Sequence, residues 1–352
     1  GKTFTAAGLI RAIIARHGSG VIGVLAPTGK ASVRMTESLA KAGIGGLKAM
    51  TIHRALLPSQ SGHGTGKWGF THNSENPLGY RFIIVDETSM VDTNLMASLV
   101  SALPVGAHLL LIGDPYQLPP VGHGAPFRDL IESGLPRGHL TEIKRNAGLI
   151  VDTCRAIREG TRVESCERFN DDGNNLRFVL SGSPVQTIDV IKRVFEAVKA
   201  KGSRDPIEDL QVLVPMNEHG SLGRTKLNTM LQGILNAHGQ SADGNKFRVG
   251  DKVICLGNGW YPSLIDPRLP EYLANGDIGR VIGVGSFVAV MEFPSVGDGP
   301  RCVRIPIKTE YGDKFDLAYA ITCHKSQGSE WPVVIILADE SASRVASREW
   351  WY

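Results

Sequence analysis

At 352 residues the chain is too long for one compact domain and has room for two or three. Its 42% hydrophobic and 21% charged residues are those of an ordinary globular protein, and no apolar run approaches the ~18 residues needed to cross a bilayer. A formal net charge of +3 excludes a histone-like polycation but leaves room for a local phosphate-binding groove.

The chain opens Gly1-Lys2-Thr3, directly before a helix pattern over Thr5–Arg16. These residues match the last third of G-x-x-x-x-G-K-[ST], in which backbone amides and a helix N-terminus cradle phosphates. In that pattern Lys2 reaches the β- and γ-phosphates and the Thr3 hydroxyl ligates Mg²⁺. Three residues recur by chance, so an exposed helix start is the competing reading. Next comes the apolar run Val21–Ala26, followed by Pro27-Thr28-Gly29; Arg81–Val85 and His108–Ile112 are further apolar runs that end in polar clusters. Strand, polar loop and helix in repetition predict a parallel sheet covered by helices on both faces, with ligands at the carboxyl ends of the strands.

Between these runs lies an insertion, Leu57–Gly79, rich in Gly, Ser, His and Asn. Trp68 and Phe70 stand two apart in it and share one face of a short strand. A projecting hairpin is expected.

The second apolar run delivers Asp86-Glu87 at its carboxyl end. Adjacent acids after a fully apolar strand suit a magnesium-holding Asp86 and a Glu87 that activates an attacking water; a solvated turn is the plainer alternative. The third run enters Gly113-Asp114-Pro115-Tyr116-Gln117-Leu118-Pro119-Pro120, which places Gln117 where a γ-phosphate or the attacking water can be sensed. Helical patterns follow, including Pro184–Lys201 and Leu222–His238. Short β-type runs then appear at Phe247–Leu256, Ile278–Val284, Phe287–Phe293 and Cys302–Ile307, before parallel-type runs return at Leu317–Thr322 and Val333–Leu337. A small barrel inserted in a second α/β domain is the expected arrangement. The cysteines Cys154, Cys166, Cys255, Cys302 and Cys323 are scattered without a C-x-x-C pair, which argues against zinc and a disulfide framework and suits buried thiols in a reducing cytoplasm.

Taken in order, these motifs resemble those of superfamily 1 helicases of the 5′-to-3′ branch, closest to the RecD-like group. Leu25–Ala31 is similar to motif Ia and Thr51–Arg54 to the next DNA-contacting motif. Val85–Asp92 resembles motif II, Gly113–Gln117 motif III, Leu140–Asn146 motif IV, and Tyr319–Glu330 motif V. Asn146 departs from the Gln common at that place.

The resemblance implies an α/β architecture of two RecA-like P-loop motor domains. The first would span 1–150 with the hairpin at 57–79, the second 151–238 and 308–352, with an SH3-like insertion at 239–307. It implies an ATP-dependent DNA helicase with ATP and Mg²⁺ as cofactors. Gly1, Lys2, Thr3, Asp86, Gln327, Gly328 and Glu330 would bind the nucleotide, Thr3 and Asp86 the metal, and Glu87, Gln117 and the arginine finger Arg145 would act in catalysis. Thr28, Lys30, His53, Trp68, Phe70, Thr322, His324 and Lys325 would meet single-stranded DNA or its junction with duplex; the rings of Trp68 and Phe70 would either stack on the last base pair or anchor the hairpin to its own domain. The motor segment of an exonuclease V α subunit or of a conjugative relaxase fits the same motifs, as does an RNA helicase; a DNA-binding subunit without hydrolysis would not need this catalytic set. Beginning at the sixth residue of the phosphate loop, and ending at Trp350-Trp351-Tyr352 where motif VI would follow, the chain is expected to lack part of its nucleotide site and to hydrolyse ATP poorly. Partner subunits are not legible.

Overall fold

The computed structural model describes residues 2–59, 69–140, 148–169, 173–217, 222–266, 268–294, 299–338 and 346–352. The chain forms two compact units, Gly1–Phe178 with Arg348–Tyr352, and Val179–Ser347.

The first unit runs α1 (Lys2–His17), β1 (Ile22–Ala26), α2 (Gly29–Lys41), β2 (Met50–Thr51), α3 (Ile52–Leu56), β3 (Pro58–Ser59), β4 (Gly69–Phe70), β5 (Phe82–Val85), α4 (Thr93–Ser101), β6 (His108–Leu111), α5 (Pro126–Glu132) and α6 (Leu149–Glu159). Four strands form a parallel sheet in the order β2-β1-β5-β6, as the alternation of strand and helix predicts. The central strands are apolar throughout because both faces are covered. Ile22, Val24 and Ile84 face a core with Ala6, Ile10, Met35 and Leu39 of α1 and α2. Leu25, Ile83 and Val85 face the other, with Ile52, Leu56, Met96 and Leu99 of α3 and α4. β6 is the edge strand, and its leucines are half-buried.

Of the insertion, the two-residue antiparallel pair β3–β4 is described, with Pro58 opposite Phe70. Phe70 packs against the core on the α3–α4 side, and its ring lies 5.8 Å from that of His53. Of the two roles open to Phe70, anchoring is the one these contacts support. Trp68 lies outside the described residues.

The second unit runs α7 (Pro184–Ala200), α8 (Pro206–Asp209), β7 (Leu210–Val214), α9 (Arg224–Leu235), β8 (Lys252–Cys255), β9 (Gly259–Tyr261), β10 (Glu271–Leu273), β11 (Ile278–Gly285), β12 (Val288–Phe293), β13 (Arg301–Pro306), β14 (Phe315–Leu317), β15 (Ala320–Thr322), α10 (Cys323–Ser326) and β16 (Val333–Ile336). β15-β7-β16 form a parallel sheet, and β13-β12-β11-β8-β14 an antiparallel one.

Two differences from the expected boundaries stand out. Residues 151–178 and 348–352, expected in the second motor domain, belong to the first compact unit. Here Leu149 N donates to Gly173 O, Cys154 Sγ reaches Tyr352 O at 3.8 Å, and Arg348 donates to Arg158 O at 3.4 Å. The antiparallel sheet also extends past 307: β14 pairs with β8, and one continuous core joins Ile191, Val212 and Leu231 to Phe247, Val253, Met291 and Phe315.

The two sheets meet at Asp251, which is fully buried. Its carboxylate accepts from Gln232 Nε2 (2.5 Å) and Asn236 Nδ2 (2.7 Å) of the α9 region, Arg248 N (2.7 Å), and Tyr319 Oη (2.8 Å). The next residue, Lys252, is also buried and donates to Glu208 O and Leu210 O, both at 3.2 Å. Buried charges of this kind persist when hydrogen bonds satisfy them. Asp251→Ala leaves several buried donors without an acceptor, each costing ~1–3 kcal/mol. Urea unfolding of this variant is expected to show a loss of ~3 kcal/mol or more, against less than half of that for Asp266→Ala on the surface.

Candidate functional site

The start of α1 and the loops after β5 and β6 hold the described nucleotide and catalytic residues predicted for the first unit, and the loop after β1 holds predicted DNA contacts. Gly1, the Thr3 side chain and Arg145 lie outside the described residues. Lys2 opens α1, and its ammonium Nζ is buried with no hydrogen-bond partner among the described residues. β5 ends in Asp86, which is 8% exposed and whose amide is held by Leu25 O at 2.9 Å. Asp86 Oδ1 accepts from Glu87 N at 2.9 Å.

Glu87 is left-handed, with φ 50, one of two non-glycine residues with positive φ among those described. That conformation costs roughly 1–2 kcal/mol for an L-residue with a side chain, and such strain persists where surrounding structure enforces it. Glu87 Oε2 is buried without a hydrogen-bond partner among the described residues. Burial raises its carboxyl pKa above the ordinary range; Lys2 and Arg34 pull it down, and Asp86 and Asp114 push it up. Arg34 of α2 therefore belongs to this charge cluster, although no motif singled it out.

The loop after β6 lies directly on the segment after β5. Thr88 N donates to Ile112 O at 2.9 Å, and Thr93 N to His123 O at 3.0 Å. Between these bonds the surfaces touch at glycines. A Cβ at Gly113 would sit 2.7 Å from the Phe127 ring and 3.1 Å from Ser89 N. A Cβ at Gly122 would run into the Asp92 carboxylate, which caps α4 by accepting from Leu95 N at 2.8 Å. Gln117 rides on this loop, in a turn where its amide donates to Asp114 O at 3.2 Å. Asp114 Oδ2 accepts from Tyr352 Oη at 3.2 Å, and burial and Asp114 push the Tyr352 phenol up.

Thr28 accepts from Ala31 N at 3.2 Å and so caps α2, beside Lys30; Thr51 caps α3 in the same way, with the exposed His53 in its first turn. These caps stand at the carboxyl ends of paired strands, Ala26 being opposite Thr51. In the second unit Thr322 precedes α10 at the end of β15. His324 is exposed, while Lys325 donates to Asn275 Oδ1 at 2.6 Å and is pulled down by burial and by Arg224. Gln327 Nε2 is buried without a hydrogen-bond partner among the described residues, Gly328 has φ 73, and Glu330 is exposed. The structure thus brings Lys2, Asp86 and Glu87 into one charge cluster, lays the Gln117 loop on it, and sets Gln327, Gly328 and Glu330 in the second unit. Among the described residues no three His, Cys, Asp or Glu side chains form a metal-binding group, and no helix is long and apolar enough to cross a membrane.

A buried lysine and an acid at the end of a parallel strand, at the head of a helix, define a P-loop nucleotide-binding unit. Residues 1–177, half of the chain, match the family model described as an AAA domain, and residues 317–352 match that of a UvrD-like helicase C-terminal domain. The ATP-dependent RecD2 DNA helicase of Deinococcus radiodurans is 31% identical over 331 residues, 93% of this chain and 40% of that protein. The RecBCD enzyme subunit RecD of Mycolicibacterium smegmatis is 29% identical over 381 aligned residues, 100% of this chain and 64% of that protein. The chain thus spans less than two thirds of either relative. A Pif1 helicase structure from Bacteroides, in complex with ADP-AlF3 and single-stranded DNA, shares the fold with a TM-score of 0.52 at 18% identity, over 99% of this chain and 85% of that one. The chain belongs to the AAA-domain family and is similar to RecD-like superfamily 1 helicases.

Gly113→Ala tests the clamp between the two loops. The added methyl must displace Phe127 or the Ser89 backbone, and a misplacement of about 1 Å can cost ~10²-fold in rate. ATP turnover is expected to fall by at least ~10-fold, with nucleotide affinity changed less.

Proposed function

We propose that the protein carrying this chain is an ATP-dependent DNA helicase that moves 5′ to 3′ on single-stranded DNA. The observation that carries the reading is the pair of orphaned buried groups, Lys2 Nζ and Glu87 Oε2, in one charge cluster with Asp86. An unsatisfied buried ammonium fits an anionic phosphate, and an unsatisfied carboxylate beside it fits a water to be deprotonated. A subunit that had lost hydrolysis would have no use for the strained Glu87.

ATP and Mg²⁺ fit these residues. Lys2 would hold the terminal phosphates, and Asp86 with Thr3 would hold the metal; the lack of an all-protein metal cage among the described residues suits an ion shared with phosphate oxygens. Magnesium, when bound, offsets the charge that builds on those oxygens. Glu87 would take the proton of the attacking water, Gln117 would sense the terminal phosphate, and Arg145, Gln327, Gly328 and Glu330 would complete the site. Thr28, Lys30, His53, Thr322, His324 and Lys325 would meet the phosphates and sugars of the strand, and the 57–79 insertion would meet the duplex junction. The antiparallel sheet of the second unit would be the SH3-like element, serving DNA rather than hydrolysis. A second reading, a RecD-type subunit within a larger complex, is favoured by the match of the whole chain to the mycobacterial RecD.

ATPase of the protein carrying this chain is expected to rise with single-stranded DNA. Stimulation by RNA in place of DNA would reassign the substrate, and unwinding from 3′-tailed duplexes alone would overturn the polarity. Glu87→Gln is expected to keep nucleotide binding and to lose turnover by ~10²-fold or more; undiminished turnover would remove Glu87 from its role.

A further inference from the structure

One buried group in the segment after β5 has no task in the reading above. Ser89 lies in the 3₁₀ turn Thr88–Met90, two residues beyond Glu87, and is 7% exposed. Its hydroxyl Oγ makes no hydrogen bond among the described residues. A serine in a tight turn ordinarily bonds a carbonyl three or four residues back. Its neighbour Thr88 does so, donating from Oγ1 to Val85 O at 3.0 Å. An orphaned hydroxyl in a native core calls for a reason, since burial without a partner is costly.

The surroundings supply one. Ser89 lines a hollow of about 10 Å³ together with Gln117, Phe127 and Arg128. That is close to the room needed by a single water. The Arg128 guanidinium is already engaged, donating to Pro115 O at 3.2 Å and to Glu349 Oε1 at 3.4 Å. The Gln117 side chain makes no hydrogen bond among the described residues. Two uncommitted polar groups therefore line one small hollow, on two loops that backbone bonds hold together.

We infer that Ser89 is a positioning residue, whose hydroxyl orients the Gln117 amide through the one water this hollow can house. The inference rests on the ATPase reading. An amide has a carbonyl end and an amino end, and an anionic phosphate accepts hydrogen bonds only. With Ser89 Oγ donating to that water and the water donating to Gln117 Oε1, Nε2 is turned away from Ser89, free to donate to a phosphate oxygen. The opposite orientation would present a carbonyl to an anion. Ser89 also stands two residues from Glu87, so the sensing amide and the base are referred to the same short turn.

The experiment is a double-mutant cycle of Ser89→Ala, Gln117→Ala and the pair, in the protein carrying this chain, with single-stranded DNA present. Ser89→Ala is expected to keep its melting temperature, since no direct protein hydrogen bond is lost, and to keep KM for ATP. Its kcat is expected to fall by ~10-fold. The double variant is expected to match Gln117→Ala, because the hydroxyl acts through the amide. A wild-type kcat in Ser89→Ala, losses that multiply in the double variant, or a lowered melting temperature would each overturn the inference. Absence of ATPase in the unaltered protein would instead overturn the parent reading.

Discussion

The chemistry of the first unit depends on how closely the loop after β6 lies on the segment after β5. Backbone hydrogen bonds fasten the two at Thr88–Ile112 and Thr93–His123, and Gly113 and Gly122 let them touch without an intervening side chain. Held in this way, the short segment from Asp86 to Thr93 has little freedom to relax. That accounts for the persistence of the left-handed Glu87 between two anchored neighbours, since local strain survives where the surroundings over-determine it. In the roles proposed for Glu87 and Gln117, a base and a sensing loop fixed to one another would respond as a unit to a change at the nucleotide.

The charges assembled there oppose folding. Asp86, Glu87 and Asp114 repel one another, and burial adds to the cost of ionising Glu87. Lys2 and Arg34 offset part of this, yet Lys2 itself is buried without a hydrogen bond among the described residues. Lys2 Nζ and Glu87 Oε2, buried without hydrogen-bond partners among the described residues, have a natural complement in a ligand bringing several negative oxygens and a cation. Binding such a ligand would stabilise the folded unit through mass action as well as chemistry.

The parallel sheet of the first unit was legible because its strands are apolar at every position, and strands covered on both faces have to be. Lys2, Asp86 and Glu87 were legible because strand ends and helix starts have a fixed spacing from them. Other features leave no periodic trace. Ser89 and Arg34 are ordinary residues in sequence, and their roles arise from what a distant loop or helix lays beside them. The extent of the first compact unit was not legible for a similar reason: α6 has the pattern of any surface helix, and its partner, Arg348–Tyr352, lies almost two hundred residues further along. The β-type runs from 247 to 307 were legible as texture, but β14 and the shared core are long-range pairings that composition does not encode.

That shared core bears on how the second unit could be altered. An inserted module with its own core can be exchanged for another through its two connections. Here the carboxylate of Asp251 in the antiparallel half is held by Gln232 and Asn236 on one side and by Tyr319, next to β15, on the other. A graft that kept the strands but changed these partners would carry an unanswered charge into the recipient. The transferable piece is therefore larger than the stretch that looks like a module, and its effective edges are α9 and β15.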